Sequence, residues 1–196
     1  MTRAQLKAKA KEQLKGKVGM FFLCLLIMIG ISMACGAIPV VGWIASIFVT
    51  PALSLGLIKL YLHVTKGEEV EVGKLFDGFK STGKATWLNI LIGFFTYLWS
   101  LLFVIPGIVK SYAYSMAFYI LAENSDMTAR EALRKSKEIT KGHKWDLFVL
   151  ELSFIPWILL VTITCGIAAI YVVPYMDLTI ANFYNEIKEK PQTVIE

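Results

Sequence analysis

The feature that most constrains this chain is the alternation of long, nearly uncharged apolar runs with short segments crowded with lysine and arginine. A helix of about 17 to 25 apolar residues matches the hydrocarbon thickness of a bilayer. Six runs are legible, at residues 18–34, 42–64, 87–105, 108–122, 145–163 and 168–184, the fourth being short. Composition agrees: charged residues make up only 18%, against about 25% in a soluble domain. Helix-breaking residues fall between runs one and two (Gly36, Pro39), three and four (Pro106, Gly107) and five and six (Gly166). The sequence therefore predicts an all-α, polytopic membrane bundle of six transmembrane helices arranged as three helical hairpins.

Orientation follows from the basic residues. Nineteen of the twenty lysines and arginines fall before span 1, between spans 2 and 3, between spans 4 and 5, after span 6, or at the inner end of span 2. Only Lys110 falls at the opposite surface. Cytoplasmic loops carry such an excess, so both termini are expected in the cytoplasm and the chain is expected as a multi-pass protein of the cytoplasmic membrane. Residues 1–17 are basic and 18–34 apolar, the order of a signal peptide, and 32–35 loosely matches a lipoprotein cleavage site. Ser32 stands where that site wants a branched aliphatic residue, and the basic stretch reads as a helix of its own, so 18–34 is expected as a retained span.

The net charge of +5 does not point to nucleic acid. The basic residues flank apolar runs, where they orient helices and meet anionic headgroups. There is no zinc-ligand spacing and no basic patch interleaved with aromatics. The expected partners are the lipid bilayer and an anionic lipid or another membrane protein, contacted through Lys7, Lys11, Lys15, Arg130, Arg134, Lys137 and Lys141. The sequence does not set the oligomeric state.

The chain also repeats itself. A Gly-basic step leads into spans 1, 3 and 5: Lys15-Gly16-Lys17, Thr82-Gly83-Lys84 and Lys141-Gly142-His143-Lys144. The outer turns resemble one another at 35–38, 105–108 and 165–168, and spans 2 and 6 share an early proline, Pro51 and Pro174. The repeats cover roughly 1–64, 65–124 and 125–190, each a short cytoplasmic amphipathic helix, an outward span, a turn and a return span. Thr128-Ala-Arg-Glu131 is a capping box, which starts a helix near Ala129; Ala132, Leu133, Ser136 and Ile139 form its less polar face, and Gly142 is placed to end it. Thr2-Arg-Ala-Gln5 is a weaker box, followed by Leu6, Ala10 and Leu14 at spacing four. In the second repeat Val72, Leu75, Phe76 and Phe79 form an apolar stripe. Helices of this kind lie along a membrane surface.

Ionisable groups inside a bilayer are costly and mark candidate sites. Glu151 is six residues past Trp145 and Asp177 seven before Tyr184, so both lie about 9 to 10 Å from the cytoplasmic interface at a rise of 1.5 Å per residue. Lys59 is at comparable depth on span 2. The three are expected as an intramembrane polar cluster, fixing helix register or serving a proton relay or substrate site. Trp43, Trp87, Trp145 and Tyr184 fall near predicted interfaces, where such rings are favoured. The cysteines, Cys24, Cys35 and Cys165, form no CxxC; the topology puts Cys35 and Cys165 near the outer surface, where pairing is conceivable but small apolar packing is the plainer reading. No metal or cofactor is expected, and no catalytic signature such as GxSxG, HExxH or a phosphate-cradling glycine loop occurs.

Residues 115–124 (SMAFYILAEN), 126–133 (DMTAREAL), Lys141-Gly-His-Lys-Trp145, Leu147-Phe148, Leu152-Ser-Phe-Ile155, Pro174-Tyr-Met176 and Phe183-Tyr184 carry a family resemblance. The stretch 112–184 resembles a bacterial membrane family, domain of unknown function 975. Pro156 stands where that family often has glycine, and is expected to bend span 5 just past Glu151. The resemblance implies a polytopic membrane protein of low-GC Gram-positive type bacteria and no particular activity. The functional expectation is a non-enzymatic accessory, regulatory or lipid- or partner-binding protein. Its alternative is a small transporter or lipid-translocating protein using Glu151 and Asp177, with an intramembrane enzyme using the same acids as a third.

Overall fold

The computed structural model describes residues 2–37, 41–102 and 104–189. Among them all regular structure is helical. The order is α1 (Arg3–Leu14), α2 (Val18–Gly36), α3 (Val41–Thr65), a 3-10 segment (Val72–Ser81), α4 (Thr82–Leu102), α5 (Val104–Tyr114), α6 (Ala117–Glu123), α7 (Ala129–Ile139), α8 (Lys144–Leu152), α9 (Ile155–Ile163) and α10 (Ala169–Glu189). Val18–Gly36, Ala45–Thr65 and Lys144–Ile163 are long and apolar enough to cross a membrane.

Both capping boxes form. The Thr2 hydroxyl accepts from the Gln5 N–H while the Gln5 side chain accepts from the Thr2 N–H, and Thr128 and Glu131 do the same at α7. Gly16 and Gly142 take positive φ of 77° and 86°, which only glycine adopts without strain. In the second linker the equivalent Gly83 lies inside α4 instead, because the 3-10 segment runs straight into that helix.

The amphipathic helices are built into the protein rather than laid against it. Leu6, Ala10 and Leu14 of α1 are fully buried, and α1 packs chiefly on α10. Ala129, Ala132, Leu133, Ser136 and Ile139 of α7 are buried against α4, α5 and α6. The second repeat departs from expectation. Its stripe forms a 3-10 segment with Leu75 and Gly78 turned in, and Phe76 and Phe79 stacked on each other and exposed. Backbone proximity explains the departure. A Cβ on Gly56 of α3 would lie 1.8 Å from the Leu75 carbonyl oxygen, and one on Gly78 1.9 Å from that of Ala52. The segment thus packs backbone to backbone on α3.

Three predicted spans are cut differently from expectation. Pro106 and Gly107 lie in the first turn of α5 rather than between helices, and the junction of α4 and α5 falls at residue 103, outside the described residues. The predicted span 108–122 is broken at Ser115 and Met116 into α5 and α6. The expected bend in 145–163 is a break between α8 and α9, with Pro156 in the first turn of α9, where its missing N–H costs no hydrogen bond.

The core lies at the end of the bundle that holds α1, α6, α7 and the last turns of α3 and α10. At the other end apolar side chains face outward: Met33 is 71% exposed, Tyr97 70%, Ile163 78% and Ile167 72%. Leu23, Leu26, Ile29, Phe94, Ile158 and Leu159 continue that surface. Apolar surface of this extent is far beyond what a monomeric soluble protein exposes. Cys24 is buried, and Cys35 and Cys165 are free thiols, so the conceivable Cys35–Cys165 disulfide is not formed.

Candidate functional site

Glu151 and Asp177 do not stand as bare charges. Asp177 follows Pro174 on α10, and the Tyr61 side chain of α3 is its hydrogen-bond partner. Tyr61 is itself held by stacking on Phe21 of α2, ring centroids 4.9 Å apart. Glu151 on α8 accepts a 2.7 Å hydrogen bond from the Tyr112 hydroxyl of α5. Tyr119 of α6, almost wholly enclosed, lies within electrostatic reach of both acids and packs 5.5 Å from the Tyr184 ring. The acids therefore share a tyrosine-lined region, each with its own phenolic partner. A hydrogen-bonded carboxylate is far cheaper to bury than an isolated one.

Lys59 does not join them. Its charged neighbours are Asp77 and Lys80 of the 3-10 segment. The physical reason is the backbone packing of that segment on α3, which sets the Asp77 carboxylate within electrostatic range of the Lys59 ammonium, though short of an ion pair. The expected three-residue cluster is thus two tyrosine–acid pairs, with the lysine elsewhere.

Lys7 also departs from expectation. The sequence pattern puts it among the residues facing headgroups, but its ammonium turns inward. It donates to the Ser153 carbonyl at 3.0 Å and lies 4.3 Å from the Phe154 ring centroid. Ser153 caps the C-terminus of α8, where carbonyls lack intrahelical partners. Burial pushes the Lys7 ammonium below its ordinary pKa. The same device recurs at the other break. Ser136 of α7 donates to the Ala113 carbonyl in the last turn of α5 at 2.8 Å, and Thr140 lies at 3.4 Å from the same oxygen. Gln13 of α1 donates to the Thr65 carbonyl ending α3 and accepts from Asn182 at 2.6 Å. Each of these two amphipathic helices therefore satisfies a carbonyl left free at an interruption or end of a longer helix.

The remaining cations predicted to face lipid or a partner, Lys11, Lys15, Arg130, Arg134, Lys137 and Lys141, are exposed. Arg134 pairs loosely with Glu138 at 3.9 Å, and Lys137 sits 5.2 Å from the Tyr114 ring.

Sequence reasoning missed Glu123, which ends α6. It accepts from the Tyr184 hydroxyl at 2.8 Å and from Lys188, with Lys66 at 3.8 Å. Burial alone would raise its carboxyl, but the bonds from Lys188 and Tyr184 and the charges of Lys188 and Lys66 outweigh it and hold the group below the usual carboxylate range. A depressed carboxyl adds stability above its unfolded pKa of about 4.3 and loses it as pH falls through the lower folded value. The unfolding temperature in detergent is therefore expected to drop as pH falls through that window. Glu123→Gln should flatten the drop, and an unchanged pH profile would remove Glu123 from this role.

Beside Glu123 a cleft of about 340 Å³ opens between α3, α6 and the 3-10 segment. Lys59 and His63 on the last turns of α3, with Lys66 just past its end, line one wall, and Lys80 and Asp77 the other. A second cleft, about 490 Å³, lies where Arg3 of α1 meets His143 and Asp146 at the start of α8.

Helices long enough to span a bilayer, an outward apolar surface and a basic rim define the class: an all-helical protein with the makings of membrane spans. Two overlapping regions, 1–110 and 101–191, match the family described as Protein of unknown function (DUF975), and the chain belongs to that family. No curated protein and no solved structure matches it.

Proposed function

We propose that the protein is a six-span component of the bacterial cytoplasmic membrane, with both termini in the cytoplasm. Three repeats, roughly 1–64, 65–124 and 125–190, each supply an amphipathic segment, an outward span and a return span. It acts without catalysis, as an accessory or regulatory protein whose basic cytoplasmic collar holds anionic lipid or an acidic partner. One observation carries this reading: α1 and α7 bury their apolar faces in the core while Lys11, Arg130 and Arg134 on these helices, and Lys15 and Lys141 just past their ends, stay exposed. Each such cation near an anionic membrane surface is worth about 1 kcal/mol.

The test uses the full chain in nanodiscs of phosphatidylcholine containing a minor fraction of phosphatidylglycerol, with retained lipids counted by native mass spectrometry. The wild type is expected to retain phosphatidylglycerol, and Arg130→Gln/Arg134→Gln/Lys141→Gln to retain about tenfold less or lower. Equal retention by the two proteins defeats the reading.

A second reading, transport, is favoured by one specific observation. Glu151 and the Tyr112 that binds it lie close to the breaks after α8 and after α5, respectively, and interrupted helices frame transporter sites. Proteoliposomes loaded with a pH-sensitive dye would show a proton flux abolished by Glu151→Gln/Asp177→Asn. Dye traces identical to empty vesicles would dismiss it.

A further inference from the structure

The cleft between α3, α6 and the 3-10 segment is built from more positive donors than its own acids use. The spacing of Lys59, His63 and Lys66, four and then three residues apart, sets all three on one helix face. That face is the cleft wall. Both acids at the cleft are already engaged. Asp77 holds Lys80 at 2.6 Å. Glu123 holds Lys188 and the Tyr184 hydroxyl, so its 3.8 Å contact with Lys66 is the longest of its three. Among the described residues no carboxylate or carbonyl stands within hydrogen-bonding or ion-pair distance of the Lys59 ammonium. His63 donates Nδ1–H to the Lys59 carbonyl at 2.6 Å, which leaves Nε2 turned toward the exposed Glu68 at 3.5 Å. The cleft thus presents one ammonium that has only long-range attraction from Asp77 and one loosely held ammonium on the same wall, with the His63 ring between them turned to Glu68.

We propose that this cleft binds a phosphate group, with Lys59 and Lys66 as its principal donors and Lys80 closing the opposite side. A phosphate accepts several charge-assisted hydrogen bonds at once, which suits Lys59 and Lys66 on one wall, while Lys80, held by Asp77, adds positive charge from the other. The proposal rests on the membrane orientation given above. In that orientation the C-terminal end of α3 and Lys66 lie at the cytoplasmic interface, and Lys59, about two turns farther in, extends its ammonium along the helix toward the lipid phosphates. The source of the phosphate is then an anionic lipid headgroup or a free phosphate ion entering from the cytoplasm.

The full chain in phosphatidylcholine nanodiscs is titrated separately with phosphatidylglycerol and with inorganic phosphate at constant ionic strength. Binding is read by native mass spectrometry and by the shift in unfolding temperature. Lys59→Gln/Lys66→Gln is expected to weaken the phosphate-bearing ligand about tenfold or more, from two cations at about 1 kcal/mol each. Lys9→Gln/Lys135→Gln, which removes the same charge at exposed positions that belong to neither the cleft nor the collar set, should leave that binding within about twofold. Saturation by phosphatidylglycerol with no response to inorganic phosphate assigns the site to lipid, and the converse assigns it to the free ion. Equal losses in both double variants, or no loss in Lys59→Gln/Lys66→Gln, overturn the site. If Lys59→Gln/Lys66→Gln binds normally while the Arg130, Arg134 and Lys141 variant fails, the collar reading survives and the cleft inference does not. The unfolding temperature of each variant without ligand shows whether it is folded. A variant that unfolds is replaced by Lys59→Arg/Lys66→Arg, which keeps the charge and must restore binding.

Discussion

Gly56→Ala or Gly78→Ala is expected to destroy the folded protein, while Gly30→Ala and Gly93→Ala leave it intact or slightly more stable. All four changes add one methyl group, and three of the four glycines lie in α2, α3 and α4. The difference is what the methyl meets. At Gly56 it lands 1.8 Å from a backbone oxygen of the 3-10 segment, and at Gly78 1.9 Å from one of α3 and 2.6 Å from the Gly56 nitrogen. No side chain can rotate out of the way, so the segment must lift off α3. That withdraws Leu75 from the apolar core it shares with Leu53 and Leu55, all of them fully or nearly fully buried. Overpacking usually costs about 1 to 3 kcal/mol. Backbone separation adds lost burial, so about 3 kcal/mol or more is expected, a large part of a marginal stability. Gly30 and Gly93 have nothing within 4 Å of the added atom, and alanine is the better helix former by about 0.5 to 1 kcal/mol. Yield of monodisperse protein in mild detergent, with the unfolding temperature of what remains, separates the outcomes. A well-folded Gly78→Ala protein would show that the 3-10 segment does not sit on α3 as described.

This contact shows what the sequence carries and what it withholds. Local signals were legible because they act within four residues. Thr128 and Glu131, like Thr2 and Gln5, form their caps as the pattern requires, and Leu6, Ala10, Leu14, Leu133 and Ile139 are buried as their spacing predicts. The position of Pro156 foretells the interruption after α8. Gly56 and Gly78 were silent, because a glycine that admits a distant backbone looks the same in sequence as one that meets nothing. The break at Ser115 and Met116 was silent for a related reason. It contains no proline or glycine, and the carbonyl it frees is satisfied from α7, more than twenty residues away in sequence. The acids Glu151 and Asp177 were found as costly charges, but their partners were misjudged. Charge complementarity suggested Lys59, whereas Tyr61 and Tyr112 hold them at lower desolvation cost. Lys7 was misread because positive charge near a membrane ordinarily faces headgroups, and only the packing of α1 on α10 reveals it turned inward.

The same packing yields a prediction whose sign is diagnostic. If α7 merely floated on a membrane surface, Ser136→Ala would be neutral or stabilising, since alanine has the higher helix propensity. In the structure Ser136 has no exposed surface, and its hydroxyl donates to the Ala113 carbonyl at 2.8 Å. Thr140 does not replace it, because its single proton is better spent on the Ser136 carbonyl at 2.7 Å than on Ala113 at 3.4 Å. Ser136→Ala therefore leaves a carbonyl at the end of α5 unpaired next to a small void. An orphaned buried acceptor costs about 1 to 3 kcal/mol, so a loss of about 2 kcal/mol is expected. Thr140→Val keeps the shape and should cost less than about 1 kcal/mol. Thermal unfolding of the two variants in one detergent measures both. The order matters beyond stability, because Ser136 is the shorter polar tie between α7 and the interrupted pair α5 and α6, which carries Tyr112 and Tyr119 toward Glu151 and Asp177. A Ser136→Ala protein as stable as wild type would show that the Ser136 hydroxyl does not tie α7 to that region.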